Sequence, residues 1–401
     1  MAPNRPDRMT SPRDERRFSV LVVSHSYPPV LGGSEIEAQR VCSALLRRGH
    51  TVTVLCSGGP PMPDVSFWTD PAGVPVRILG RHRLARDYAF ALGVARTLLR
   101  ERRRYQIVYF LMQGLHLAAG LPVARLLGKP VVMKVSGSGI ITSMRGSWLG
   151  RLELRFLRRW ARRVMILNPG MAEEAIAAGL EPDRLLWMPN PVDTDEFAPC
   201  APDRRRELRA RFGIGPSVPV AIFVGRLAPE KELPSLIRGF AAARRDVPDA
   251  TLVLVGDGPI RSDLEALVTG LGLNGAVRLT GRQTGAEVRD WLQASDVFAL
   301  VSCNEGLPCS LLEAMAAGLP SVVSDIPANI QLVETEVHGL HVALGSPDSI
   351  AGALSRLLSD APLRASMGAA ARQRVLAGYS IDKVMDRYEA LFSETLDAGE
   401  R

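Results

Sequence analysis

Several protein classes are excluded by what this chain lacks. No apolar run approaches the roughly 18 residues that span a bilayer, so an integral membrane protein is not expected. Residues 1–17 are rich in Pro, Arg and Asp and hold no apolar core of a signal peptide, and they read as a loose tail. The five cysteines (Cys42, Cys56, Cys200, Cys303 and Cys309) are odd in number and never spaced Cys-x-x-Cys. That pattern suits neither a disulfide framework nor a zinc site; it reads as five buried or half-buried thiols in a reducing cytoplasm. The dinucleotide fingerprint GxGxxG fails at residues 256–261, where Arg261 replaces the last glycine, and no GxxxxGK[ST] occurs. Nicotinamide enzymes and P-loop NTPases lose their main support. No repeat is visible.

The composition that remains is globular, with 46% hydrophobic and 23% charged residues in 401, enough for two or three domains. The net charge of +7 is uneven. Residues 1–200 carry 28 Lys and Arg against 17 Asp and Glu, a balance of +11, which leaves −4 for the remainder. A basic half suggests an anionic partner: a membrane surface, a nucleic acid or a phosphate-bearing ligand.

Apolar strand-like runs alternate with helical periodicity. Strands are expected near 18–24, 51–56, 76–79, 106–110, 130–136 and 163–167, then again near 219–225, 251–256, 276–280, 296–301, 321–324 and 340–344. Alternation of this kind predicts α/β architecture with two doubly wound parallel sheets. The Pro- and Asp-rich stretch at 188–203 interrupts it and reads as a linker, with a short helix near 204–212. The last segment, from 380, carries Ile381, Val384, Met385, Tyr388 and Leu391 at helical spacing.

Four motifs carry chemistry. In 304–320, Pro308 stands where a helix begins and Gly318 where it ends, with Glu305 before the helix and Glu313 inside it. From 308 to 313 the helix rises about 7.5 Å, so the two carboxylates suit the two ends of an extended ligand rather than one proton. A phosphate between them would meet free helix N–H groups. The plain alternative is a capping carboxylate and a solvated helix Glu. In 224–232, Arg226 and Lys231 flank a turn at the carboxyl edge of a sheet, where two cations can neutralise a diphosphate. The turn at 255–259 is a further glycine-bearing strand end. Gly32 and Gly33, in the first βα loop, permit close approach of a bulky anion.

Together these motifs resemble the GT-B glycosyltransferases of family 4, which retain anomeric configuration; the resemblance runs from about 18 to 396. It implies two Rossmann-like domains facing each other across a cleft. Residues 18–198 would bind the acceptor, 199–218 would form a linker region, and 219–379 would bind a nucleotide-sugar donor. Residues 380–401 would form a helix packing back on the first domain. Arg226, Lys231 and Glu305 are implied as catalytic: a diphosphate clamp and a carboxylate beside the donor sugar. Gly306 and Leu307 would offer backbone N–H groups, Glu313 would hold ribose hydroxyls, Gly33 would touch phosphate or sugar, and Gly281 with Arg282 would contact the base. No metal or other cofactor is implied.

Two departures stand out. Many relatives carry a His where this chain has Ser136, which leaves Ser136, Gly137 and Ser138, with His25, as acceptor-side candidates. Gln331 replaces a Glu downstream. His116, His338 and His341 read as structural, and Trp291 and Phe298 as core.

A separate feature is the basic stretch 151–163. Arg151, Arg155, Arg158, Arg159, Arg162 and Arg163 flank an apolar stripe of Leu149, Leu152, Phe156 and Trp160, a pattern that suits an anionic membrane surface; the plain alternative is an ordinary solvated face over a core stripe. The expectation is a cytoplasmic transferase, peripheral on the inner face of the membrane. It moves a hexose-type sugar from UDP or GDP to a hydroxyl of a glycan or lipid-linked acceptor, and nucleic acid is not expected as a partner. The rivals are a sugar-nucleotide epimerase of the same architecture and a basic membrane- or nucleic-acid-binding module that has lost catalysis.

Overall fold

Runs such as VLVV at 20–23 and VAIFV at 220–224 are apolar at every position, and in the folded chain they are buried on both faces, as central parallel strands require. The computed structural model describes residues 16–398 apart from 31, 59–61, 63–64 and 81–85, so nearly all of the tail expected over 1–17 lies outside the described residues.

The first sheet contains β1 (Ser19–Ser24), β2 (Thr51–Ser57), β3 (Phe67–Thr69), β4 (Pro75–Leu79), β5 (Ile107–Leu111), β6 (Val131–Lys134), β7 (Arg163–Ile166) and β8 (Leu185–Trp187). Their order is β3-β4-β2-β1-β5-β6-β7-β8, parallel throughout except for β3. The second sheet contains β9 (Val220–Val224), β10 (Thr251–Val255), β11 (Val277–Gly281), β12 (Val297–Leu300), β13 (Ser321–Ser324) and β14 (Gly339–Val342). It is wholly parallel, in the order β11-β10-β9-β12-β13-β14. Both are doubly wound sheets.

Two edge strands, β3 and β8, were not anticipated. Each is three residues long and shows no buried alternation. The region expected as linker holds the helix Pro202–Arg211, which packs on the second domain. Its buried Arg209 donates to Asp296 at 2.6 Å and to the carbonyls of Ala294, Pro216 and Val218 at 2.8–3.0 Å. Phe212, next in sequence, stacks on Trp291 at 3.7 Å.

The C-terminal helix Ile381–Asp397 crosses back to the first domain. Val384, Met385, Tyr388, Leu391 and Phe392 share one core with Val20, Val22 and Val54. Arg48 on the first domain donates to Asp382, Asp386 and Glu389 of that helix at 2.9–3.1 Å. His50 meets Glu389 at 3.0 Å.

The cysteine reading needs one correction. Cys42 and Cys56 are buried, but Cys303 is exposed, because it sits on the turn that leaves β12.

Candidate active site

In an open α/β sheet, ligands bind outside the carboxyl ends of the strands where the strand order reverses. In the second sheet the reversal falls between β9 and β12. Lys231 follows the first of these strands and Glu305 the second, and the Cys303 N–H donates to the Glu230 carbonyl at 2.9 Å, tying the two turns together. Lys231 Nζ donates to Glu305 Oε1 at 2.6 Å, with both side chains largely covered. Arg226 behaves differently. It is two-thirds exposed and pairs with Glu230 at 2.5 Å on its own turn. Burial opposes ionisation of Glu230, yet its own backbone N–H and Arg226 hold the carboxyl below the usual range. The structure thus joins Lys231 to Glu305 and leaves Arg226 at the rim.

The loop 305–307 is held by its carbonyls. Ser138 Oγ donates to the Glu305 carbonyl at 2.7 Å, Asn168 Nδ2 to that of Gly306 at 2.7 Å, and Asn190 Nδ2 to that of Leu307 at 2.8 Å. All three donors lie in the first domain or the segment leaving it. With the carbonyls turned that way, the N–H groups of 305–307 have no hydrogen-bond acceptor among the described residues. Gly306 is needed for the approach: a Cβ there would stand 3.0 Å from the Ser136 carbonyl oxygen and 3.1 Å from Gly137 Cα. Ser136, Gly137 and Ser138 therefore lie directly against the loop bearing Glu305, rather than on a separate wall.

Asn190 is also tied backwards. Its Oδ1 accepts from Lys134 Nζ at 2.9 Å, and Lys134 pairs with Glu37 at 2.7 Å in a fully buried contact. Asn168 and Asn190 were missed in the sequence. Asn168 stands at a helix start and Asn190 between prolines, which made both look like ordinary turn residues.

Two uncapped helix starts meet at this loop. The helix Gly33–Arg47 has Gly32 as its N-cap and the helix Cys309–Ala316 has Pro308, neither with a side-chain cap. Cys309 Sγ reaches the Gly33 carbonyl at 3.7 Å, and a Cβ on Gly33 would meet nothing within 4 Å. Converging N-termini favour an anion. Burial pushes the Cys309 thiol up to about 12, so it stays protonated and is no nucleophile. Glu313, one turn further along, accepts from Arg40 Nη2 of the first domain at 2.5 Å.

Away from this cluster, Gly281 ends β11 in a left-handed conformation, φ 75°, and its carbonyl accepts the Gly256 N–H at 2.9 Å. Arg282 beside it is exposed and has no partner among the described residues. Gln331 donates to the Leu167 carbonyl at 3.0 Å and so braces the two domains instead of facing the loop. The linker holds an Asp-x-Asp triplet, Asp193 to Asp195, that the sequence reading passed over. Asp193 Oδ1 accepts the N–H groups of Asp195 and Glu196 at 3.1 and 2.9 Å, which makes it a turn cap.

His25 lies at the end of β1, half-exposed, with Nε2 3.0 Å from Asp87. Its ring is 6.2 Å from that of His116. Burial, with His25 adding to it, lowers His116 to about 4. Nearby the chain takes positive φ at Met112 (68°) and Gly114 (139°), and the Gly114 N–H donates to Glu153 at 2.8 Å. Burial pushes the Glu153 carboxyl up to about 7 against that hydrogen bond.

The basic stretch is also redrawn. The helix is Trp148–Trp160, and its core-facing residues are Gly150, Glu153, Leu154 and Leu157. Leu149, Leu152, Phe156 and Trp160 are only half-buried. Arg162 donates to the Ala398 carbonyl at 2.9 Å, while Arg163 lies in β7 and pairs with Glu394. Those two arginines serve the C-terminal helix. Arg151, Arg155, Arg158 and Arg159 remain exposed.

Comparison with known proteins agrees with this geometry. The family model described as "Glycosyl transferases group 1" matches residues 204–374, and "Glycosyl transferase 4-like domain" matches 32–191. A GDP-mannose-dependent alpha-mannosyltransferase of Mycobacterium tuberculosis (strain CDC 1551 / Oshkosh) is 30% identical over 392 residues, 93% of this chain and 96% of that one. A UDP-Gal:alpha-D-GlcNAc-diphosphoundecaprenol alpha-1,3-galactosyltransferase of Escherichia coli is 28% identical, covering 91% and 94%. Among solved structures, Anabaena HepE in complex with UDP and glucose superimposes with a TM-score of 0.80 at 20% identity, covering 94% of this chain and all of that one.

Proposed function

The chain belongs to the glycosyl transferases group 1 family and is a glycosyltransferase of GT-B fold, and on that premise we propose that it takes its sugar from a UDP- or GDP-linked donor. The sugar, of hexose type, passes to a hydroxyl of a glycan or lipid-linked acceptor, with retention at the anomeric carbon and without a metal ion. The observation that carries this reading is the contact of Lys231 with Glu305 at 2.6 Å, beside the uncapped starts of two helices.

In this reaction the bond from the anomeric carbon to the phosphate oxygen breaks. Its electron pair goes to the leaving nucleoside diphosphate, and the acceptor oxygen bonds to the same carbon and passes its proton to the departing phosphate oxygen. Charge therefore grows on the diphosphate, where cations and fixed N–H groups stabilise the transition state more than the ground state. Lys231, the free N–H groups of 305–307 and the two helix starts occupy that position. Arg226 swings from Glu230 to the diphosphate when the donor arrives. Retention places the incoming hydroxyl on the face that the phosphate leaves, which is the side of His25 and residues 136–138. Glu305 stands beside the sugar, Glu313 takes the ribose hydroxyls, and the turn of Gly281 and Arg282 meets the base.

A lipid-linked acceptor is supported by the charge of the first domain. Residues 86–162 hold fifteen Lys and Arg against three Asp and Glu, although Lys134 is buried against Glu37 and Arg162 bonds to Ala398. Trp148 is 70% exposed beside Arg151 and Arg155, and Tyr88 is 72% exposed on the helix Arg86–Arg100. No helix among the described residues is long and apolar enough to cross a membrane. We place the protein in the cytoplasm, peripheral on the inner leaflet, with this face toward anionic lipid. Each basic residue near such a surface contributes about 1 kcal/mol.

A thermal-shift series with UDP, GDP, ADP and their sugars, with and without EDTA, tests the donor. One nucleoside diphosphate raises the Tm, and sugar transfer survives the chelator. No shift with any nucleotide and no transfer defeats the reading. Loss of transfer in EDTA with rescue by Mn²⁺ defeats metal independence. Flotation with anionic vesicles, lost on changing Arg151, Arg155, Arg158 and Arg159 to Gln, tests the membrane face. Equal flotation of the two proteins defeats it.

A further inference from the structure

Arg209 is buried and Arg40 is largely covered, and the two arginines differ in how well they are satisfied. Arg209 Nη1, Nη2 and Nε each find oxygen acceptors. Arg40, on the helix Gly33–Arg47, makes one hydrogen bond, from Nη2 to Glu313 Oε1 of the other domain. Its Nη1 is buried without a partner among the described residues. The guanidinium carbon lies 5.5 Å from the centre of the Phe197 ring, over its face. Burial would lower its pKa, but the Glu313 carboxylate raises it, so Arg40 stays charged.

A largely covered ion pair with one contact and a bare N–H is a poor device for stability. It is a good device for orienting a carboxylate. The single contact takes Oε1 and leaves Oε2 with no hydrogen bond among the described residues. The pair also lies behind the anion-favouring point where Cys309 meets Gly33. Arg40 is seven residues, about 10.5 Å, along one helix, and Glu313 is four, about 6 Å, along the other.

We propose that Arg40 is a positioning residue for nucleotide binding: it reaches across the cleft, holds Glu313 by one oxygen, and presents the other to a ribose hydroxyl of the donor. This rests on the donor reading above. A residue of the acceptor domain thereby sets nucleotide affinity without touching the nucleotide, and the ribose-binding carboxylate is oriented only when the two domains are together. In metal sites, outer residues that orient a ligand change affinity by about 10–100-fold, and the low end of that range is expected for a carboxylate oriented toward a hydroxyl.

The test is a double-mutant cycle read by calorimetric titration of UDP and GDP into the full chain. The proteins are wild type, Arg40→Gln, Glu313→Gln and the double variant, with Arg40→Lys as the conservative change. Arg40→Gln weakens the preferred nucleotide about tenfold, while the same change in the Glu313→Gln background shifts Kd by less than about twofold. Arg40→Lys, keeping the charge on a shorter head, falls between, and carries the test alone should Arg40→Gln fail to fold. Wild-type affinity in Arg40→Gln or Arg40→Lys, or an equal loss in both backgrounds, overturns the proposal while the donor reading stands. Failure of wild type to bind either nucleotide removes the donor reading, and the proposal with it.

Discussion

The two sides of the cleft are built differently. On the second domain's side, the loop 305–307 has all three carbonyls fixed by Ser138, Asn168 and Asn190 at 2.7–2.8 Å, and its carboxylate is held by Lys231. On the first domain's side, the loop after β5 carries two positive φ angles, at Met112 and Gly114, and rests on two titratable groups displaced from their ordinary pKa. One side is pinned by hydrogen bonds of fixed direction. The other is held by burial together with the Gly114 N–H bond to Glu153. The lesson is that the transferable group demands fixed electrostatics, because stabilisation of developing charge depends on donors already in place. The first domain's wall depends more on burial and on the protonation of Glu153 and His116, and pH is therefore expected to act on it first.

The largest effect should come from the pinned side. Lys231→Ala is expected to lower kcat by about 10²–10³, as losses of leaving-group stabilisation do. Arg226→Ala, starting from an exposed rim position, should cost only about tenfold. Steady-state kinetics on folded variants checks both, and equal effects would mean that Arg226, once moved from Glu230, stabilises the leaving group as much as Lys231 does. Next is Gly306→Ala. Its methyl would press on the Ser136 carbonyl and Gly137. Overpacking of this kind costs about 1–3 kcal/mol. Displacing the loop should lower kcat/KM by up to about 10²-fold, and unchanged activity would show that the two loops part freely.

Asn190→Ala leaves the Leu307 carbonyl and the Lys134 ammonium each short of one partner. A loss of about 1–3 kcal/mol is expected, read as a lower midpoint in urea, and a midpoint equal to wild type would show that water replaces the amide. The smallest effect on activity is at the loop after β5, and it is read in stability as a dependence on pH. Glu153 has its carboxyl pushed from 4.5 up to about 7, so the folded state holds its proton more tightly than the unfolded one. Its contribution is greatest below pH 4.5 and is lost as pH rises to about 7. His116, lowered from 6.5 to about 4, works the other way: its contribution is lost as pH falls through that window. Glu153→Gln keeps an acceptor for the Gly114 N–H and removes the first slope. The variant should match wild type near pH 4 and exceed it in Tm at pH 8, and a parallel pair of Tm–pH curves would show that Glu153 does not titrate near 7.

Much of this was legible in the chain. The central strands were, because burial on both faces forces uninterrupted apolar runs such as 220–224 and 251–255. The strand ends bearing Lys231 and Glu305 were, because turn chemistry is local. β3 and β8 were not, since three half-exposed residues carry no periodic signal. The helix Trp148–Trp160 was visible, but its core face was misjudged. The buried Glu153 reads as solvent-facing in a sequence, and the Gly114 N–H at its carboxyl, with a pKa raised to about 7, makes that burial tolerable. Arg162 and Arg163 looked like surface charge because their partners, Ala398 and Glu394, are more than 230 residues away.

By itself, then, the sequence determined the two parallel sheets, the closing helix and the strand ends at which charged residues stand. Hydrophobic period, capping and turn residues act over a few positions, and their consequences can be read along the chain. The tertiary structure alone decided that Ser138, Asn168 and Asn190 hold three successive carbonyls, that Arg40 meets Glu313, and that Lys231 rather than Arg226 meets Glu305. Most of these pairings join residues far apart in sequence, and even Lys231 and Arg226, five positions apart, face different partners. The contacts of Ser138, Asn168, Asn190 and Arg40 come from the packing of two separately wound sheets against each other, and that of Lys231 with Glu305 from the pairing of β9 beside β12 in one sheet; no local spacing encodes which side chain will face which.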